Sequence, residues 1–228
     1  MFESKAGVFL IAGIGFFALS FLVMGLLPWT IYYNEPELTV DQIAAKGILP
    51  DFVDLAERFP DQFKDYFGEV SEKSFAEALA LGHKIYVAEA CWHCHSQFIR
   101  PVSNEDLRWG PVSHALEYQN RLQRPVLFGT RRVGPDLSRE GGVRSNDWHI
   151  AHFWDPTSVT PSSVMPSYKW FFDGDGYPNK RGMAIITYVQ WLGSWLKEYP
   201  YYHGDGPSGP TTQPAYPPRT AASQPAAG

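Results

Sequence analysis

The chain has 228 residues and a formal net charge of −5, from 19 basic against 24 acidic side chains, which argues against a general nucleic-acid binder. Aromatic residues make up 15% of it, too many for a disordered chain, and two cysteines are too few for a disulfide scaffold or a four-thiolate zinc site. Charged residues reach only 19%, and the apolar ones are bunched at one end, which weakens a soluble cytosolic enzyme as the first reading.

Residues 6–27 contain no charge and almost nothing polar besides Ser20. At a rise of about 1.5 Å per residue, such a helix crosses the roughly 30 Å hydrocarbon core of a bilayer. Pro28 is expected to end it, and Trp29, Tyr32 and Tyr33 stand where an interfacial aromatic belt belongs. A cleaved signal peptide is the competing reading, but signal cores are shorter and no small-x-small cleavage site follows. Residues 1–33 are therefore read as an uncleaved anchor. Lys5 on one flank and Glu35, Glu37 and Asp41 on the other put the N-terminus in the cytoplasm and the remainder outside it.

Residues 34–73 are expected to form an acidic, membrane-proximal linker lying on the surface, with short helical pieces near residues 40–46 and 52–59. Between Glu35 and Glu77 stand eleven acids against Lys46, Arg58, Lys64 and Lys73. A domain is expected over residues 74–202. Ser74-Phe-Ala-Glu77 has the form of a capping box opening a helix towards Ala90, with Phe75, Leu79, Gly82 and Tyr86 along one face. A loop-rich stretch follows, then a short helix near residues 145–153 capped by Ser145 or Asn146. A last amphipathic helix is expected over residues 182–196, crossing the first with Gly82 at the contact. Asp173-Gly-Asp-Gly176 resembles the start of a calcium loop but has Ala184 where the closing Glu belongs, so it reads as a turn. Residues 203–228, rich in Pro, Ala and Gly, are expected to be a disordered tail.

The strongest chemical signal is Cys91-Trp-His-Cys94-His95, the attachment sequence of a c-type haem. Two thiols add across the haem vinyl groups, and the adjacent imidazole is then positioned to bind the iron. A thioredoxin-like pair would want a β-α-β context, a zinc site needs further ligands, and a plain disulfide leaves the histidine unexplained. For the other face of the iron the candidates are Met165, in the loop Ser-Val-Met-Pro-Ser, then Met183, His149 and His152. Met165 is preferred because a rigid loop can present a thioether, and Met/His ligation suits electron transfer. Pro135, in Gly134-Pro-Asp-Leu137, can offer its carbonyl to the Nδ1–H of His95. From Arg100 to Arg144 there are eight arginines against five acids, and Arg100 is the best placed in sequence to meet a haem propionate.

Cys91-Trp-His-Cys-His-Ser-Gln-Phe-Ile-Arg-Pro101, Gly134-Pro-Asp-Leu137, Ser145-Asn-Asp-Trp-His149 and Val164-Met-Pro-Ser-Tyr168 together closely resemble the mono-haem subunit (subunit II) of cbb₃-type cytochrome c oxidases. The resemblance covers roughly residues 79–196 and the anchor. It implies one covalently bound haem c on Cys91 and Cys94, with His95 and Met165 as axial iron ligands. It also implies a haem–copper catalytic partner in the bacterial inner membrane, a second cytochrome c subunit or a soluble cytochrome c as donor, and a periplasmic haem domain. The fold implied is mainly α: one N-terminal transmembrane helix and a cytochrome c-like domain with long loops. The chain would relay single electrons without itself reducing oxygen. The nearest rival is the mono-haem subunit of a nitric oxide reductase, against which Ser96-Gln97 and Ile99-Arg100-Pro101 argue. A rival of another class is a membrane-tethered binding or structural protein with a plain disulfide.

Overall fold

The computed structural model describes residues 5–34, 36–129, 133–174 and 176–196. The tail expected over residues 203–228 lies outside them. The described chain forms two units, divided after Glu37.

The first unit is one helical rod, Lys5–Tyr33, long and apolar enough to span a membrane. Its parts are α1 (Lys5–Ser20), a π-helical stretch Phe21–Leu26, and α2 (Leu27–Tyr33), none with a buried residue. An apolar surface exposed all round is the pattern of a lipid-facing helix. Pro28 does not end the helix as expected. It sits in the first turn of α2, just after the π stretch, where the Leu27 N–H reaches back five residues to the Leu22 carbonyl. That widened turn accommodates the proline ring and its missing donor, so the rod runs on to Tyr33.

The second unit is built around α6 (Glu72–Ala88) and α11 (Lys180–Trp191). They cross at Gly82, where an added Cβ would lie 2.1 Å from the Ala184 carbonyl oxygen and 2.6 Å from Tyr188 Cβ. No side chain fits there, so glycine sets how closely the helices approach. Phe75, Leu79, Tyr86, Met183, Ile185, Ile186 and Tyr188 are fully buried around the crossing. The first helix starts earlier than the Ser74 box suggests. Ser71 is the N-cap, its hydroxyl accepting from the Ser74 N–H while Ser74 Oγ accepts from the Ser71 N–H, and Glu77 instead pairs with Lys180 at 2.6 Å. The last helix stops at Trp191, short of the expected Leu196. Gly193 takes a positive φ of 80° and packs its backbone on Ser138, where a Cβ would come within 2.6 Å of the carbonyl oxygen.

The acidic segment is not a surface linker. Its helices α3 (Val40–Ala45), α4 (Pro50–Arg58) and α5 (Pro60–Phe67) bury Ile43, Ala44, Phe52, Leu55, Phe63 and Phe67 in the same core as the crossed pair. The Phe52 ring lies 5.0 Å from Phe63 and 5.2 Å from Phe75. Most of the described acids stay exposed while Phe59, Phe63 and Phe67, four apart, form an apolar stripe that the charge count conceals.

Four short helices complete the domain: α7 (Cys91–Cys94), α8 (Glu105–Trp109), α9 (Asn146–Trp154) and α10 (Pro156–Val159). Ser145 caps α9 as expected, accepting from the Trp148 N–H. Beside the Phe172–Pro178 bridge the Gly176 N–H donates to the Asp173 carbonyl at 2.9 Å, as in a turn, and the Asp173 carboxylate accepts a hydrogen bond from the Tyr66 hydroxyl at 2.9 Å. Among the described residues there is no β-strand, only isolated bridges.

Candidate functional site

The motif cysteines sit on a single helical turn placed against the crossed pair. After α6, Ala90 adopts a left-handed φ of 54°, which redirects the chain into α7, Cys91–Cys94. Cys91 is half-buried and Cys94 exposed, and both carry free thiols. Burial pushes the Cys91 thiol up to about 12.

His95 follows at the end of this turn and is held from several sides. Its N–H donates to the Cys91 carbonyl at 2.8 Å, and its own carbonyl accepts a short hydrogen bond from the Tyr86 hydroxyl in α6. The ring Nδ1 lies 3.0 Å from the Pro135 carbonyl oxygen. Against the ring stands Gly134, where an added Cβ would be 2.3 Å from Cε1. Burial lowers the ring's pKa, opposed by the Pro135 hydrogen bond and Asp136, so near neutral pH it is an uncharged imidazole. With Nδ1–H donated to Pro135, the lone pair is on Nε2, the form that binds a metal.

The loop carrying Gly134 and Pro135 is laced to the segment after the motif. Gly134 N–H donates to the Cys94 carbonyl, and Leu137 N–H to the Ser96 carbonyl, each at 3.0 Å. Asp136 accepts from the Phe98 N–H at 3.0 Å and from the Ser138 N–H at 2.8 Å. Ser96 Oγ donates to the Gly129 carbonyl, while Gln97 Nε2 donates to the Tyr188 hydroxyl of α11 at 3.0 Å. Asp136, Ser96 and Gln97 are thus supporting residues that sequence reasoning did not assign, although Gly134-Pro-Asp-Leu and Ser96-Gln97 were visible as motifs.

The other candidates fall in different surroundings. Met165 is half-buried in the loop after α10, packed against the core, with its N–H bonded to Ser163 Oγ at 3.2 Å. Met183 is fully buried in α11 as a packing residue. His149 is buried with Nε2 4.0 Å from a Glu140 carboxylate oxygen, and desolvation lowers it to about 3. His152 stacks on Trp148 at 4.4 Å between ring centres. Its pKa falls to about 4 through desolvation, with His95 close enough to add repulsion. Arg100 is tied to the buried Glu105, donating from its backbone N–H and from Nε at 2.8 Å each, and its guanidinium lies 5.3 Å from the Phe128 ring centre. Among the described residues no group of three or more His, Cys, Asp and Glu side chains is placed to hold a metal ion.

The residues present suit a haem better than a bare ion. There are two thiols on one turn, a neutral imidazole backed by a carbonyl, and a glycine shaved flat against that imidazole. Crossed helices with this motif at the end of the first define a cytochrome c-type domain. The family model for the cytochrome c oxidase mono-haem subunit/FixO matches residues 54–180, and the chain belongs to that family. The match begins within α4, inside the segment read from sequence as a linker. Comparison with curated proteins finds no significant match. Family membership gives the chain one haem, an electron-transport role and a place as a subunit of a cytochrome c oxidase complex.

Proposed function

We propose that this chain is the membrane-anchored mono-haem c-type cytochrome of a cbb₃-type haem–copper oxidase, passing single electrons to the oxygen-reducing subunit. Cys91 and Cys94 would hold the haem through thioether bonds, and His95 and Met165 would ligate its iron. A haem bound there would supply a one-electron ferric/ferrous couple. The residues around it are suited to keep that couple free of side chemistry. The Pro135 carbonyl fixes the His95 tautomer and orientation, Gly134 leaves the ring room, and the Met165 thioether would occupy the iron's remaining coordination position, leaving none for substrate. Arg100, steadied by Glu105, has further N–H donors to offer a propionate.

The helix Lys5–Tyr33 anchors the domain with the N-terminus in the cytoplasm and the haem domain in the periplasm of the bacterial inner membrane. A second cytochrome c subunit or a soluble cytochrome c supplies the electrons. The observation that carries the reading is the hydrogen bond from His95 to Pro135 at the end of the Cys-x-x-Cys-His turn, within a chain of the oxidase mono-haem family. Affinity purification of the full chain from its native membrane tests it. The expected co-purifying core consumes oxygen in a cyanide-sensitive way; a core that reduces nitric oxide instead would overturn the assignment.

A further inference from the structure

Among the described residues, the Val23 carbonyl of the membrane-spanning helix has no donor from its own chain. In a regular helix it would accept from residue 27, and in a π-helical turn from residue 28. Leu27 gives its N–H to Leu22 instead, five residues back, and residue 28 is proline, which has none. Leu26 lies inside the π stretch, where donors reach five residues back and so pass Val23 by. The widened turn lets the rod continue past Pro28 but puts no N–H in its place. Side chains do not fill the gap. Thr30 donates its hydroxyl to the Leu27 carbonyl at 2.8 Å, and Asn34 donates to the Thr30 carbonyl at 2.8 Å. Ser20 lies on the N-terminal side, behind a carbonyl that points towards the C-terminus.

The position of this acceptor describes its partner. Val23 is inside the apolar run 6–27, six residues short of Trp29, on a helix with no buried residue. Hydrocarbon offers no hydrogen bonds, so an unpaired carbonyl there is heavily penalised and draws in a donor at the same depth. Val23 and Leu27, one turn apart beside the carbonyl, have 48% and 55% of their surfaces open, which leaves room for a neighbour. A second copy of this chain does not bring the donor. Sharing the same topology it would stand parallel, with only Phe21-Leu-Val-Met-Gly-Leu-Leu27 at that depth. A different membrane helix with a polar side chain does bring one, and such side chains are the ones that bond across helices in bilayers. The chain belongs to a family of oxidase subunits, so other subunits are at hand.

We infer that the Val23 carbonyl accepts a hydrogen bond from a hydroxyl, carboxamide or indole N–H on a transmembrane helix of the oxidase core, and that Pro28 keeps the carbonyl free for it. The contact is a hydrogen bond alone, with no covalent or redox step. It rests on the proposed function in two respects: the anchor stays on the mature chain, and the partner lies in the membrane.

The test uses the full chain, affinity-tagged at its C-terminus and extracted in mild detergent from its native membrane, and reads the oxidase core retained per chain. Leu27→Thr places a hydroxyl four residues after Val23, where a helical threonine bonds back to the carbonyl, as Thr187 does to Met183 at 2.8 Å. Leu27→Val has the same shape without the hydroxyl. Leu27→Thr should retain about fivefold less core than Leu27→Val, the scale of one hydrogen bond between membrane helices. Pro28→Ala, which returns the missing N–H, should lower retention similarly, with membrane insertion and covalent haem as in the unaltered protein. Equal retention by the threonine and valine variants would overturn the proposal, and so would full retention in Pro28→Ala. A dimer of this chain in the same detergent, broken by Leu27→Thr but not by Leu27→Val, would make a second copy the occupant and overturn it too. A mature chain that lacks residue 23 by intact mass, or an unaltered chain that brings down no core, would instead remove the proposed function beneath it, before any variant is made.

Discussion

Nδ1 of His95 and the carbonyl oxygen of Pro135 lie 3.0 Å apart, although 40 residues of chain separate them. The contact depends on Gly134, whose missing side chain lets the loop lie flat on the imidazole. Gly134→Ala would put a methyl group 2.3 Å from Cε1, so either the ring turns or the loop withdraws. Overpacking of this kind costs about 1–3 kcal/mol. The thermal midpoint should fall, and the reduction potential should rise as the imidazole loses the hydrogen bond that makes it a stronger donor to ferric iron. Calorimetry and a redox titration check the two effects separately.

The fold has its own weak points at Gly82 and Phe52. Gly82→Ala forces apart the crossed helices, because the new methyl would meet backbone, which cannot swing aside. Phe52→Ala removes a fully buried ring from the cluster with Phe63, Phe67 and Phe75, at a cost of about 3–5 kcal/mol. If residues 34–73 were a detached linker, Phe52→Ala would leave the denaturation midpoint unchanged. Urea unfolding of the full chain distinguishes these outcomes.

Acid should destabilise the domain through its buried histidines. His149 has its folded pKa lowered to about 3 by burial, while an unfolded histidine titrates near about 6.5. Below the unfolded value the unfolded chain takes up a proton that the folded one refuses. The stabilisation is therefore complete above that value and is lost as pH falls towards the folded one. One such group contributes a slope of roughly 1.4 kcal/mol per pH unit across the window. His149→Phe should flatten the stability profile between pH 6 and pH 4, measured by chemical denaturation at each pH.

Met165→Leu should abolish the weak near-infrared sulfur-to-iron band of the ferric protein and lower the reduction potential, since a neutral thioether favours ferrous iron. Met183→Leu, a volume-conserving change in the core of α11, should leave that band in place. The reverse pattern would make Met183 the ligand. A spectrum untouched by either change would turn attention to His149 or to His152, which lies near His95.

Much of this was legible in the residues because the signals are local. Cys91 to His95 is a contiguous motif, Ser145 caps the helix it precedes, and Gly82 lies on the apolar face of its own helix. What escaped depends on partners distant in sequence. Composition makes residues 34–73 look like a solvated linker, yet a few phenylalanines at helical spacing outweigh acids that mostly stay exposed. Pro28 looks like a helix stop when its cost is taken alone; the π turn before it absorbs that cost. Ser71 and Ser74 cap each other, a serine pair without the usual Glu or Gln at the third position. Asp136 and Gln97 looked like ordinary loop residues until the fold brought Phe98 and Tyr188 to them.

The most direct measurement is a pyridine haemochrome spectrum of the purified full chain, taken before and after extraction with acidified acetone. A haem joined through Cys91 and Cys94 gives one haem c per chain, resistant to extraction, and Cys91→Ala shifts the spectrum towards that of a singly attached haem. Haem that leaves with the solvent, or a chain that carries none, would contradict the account.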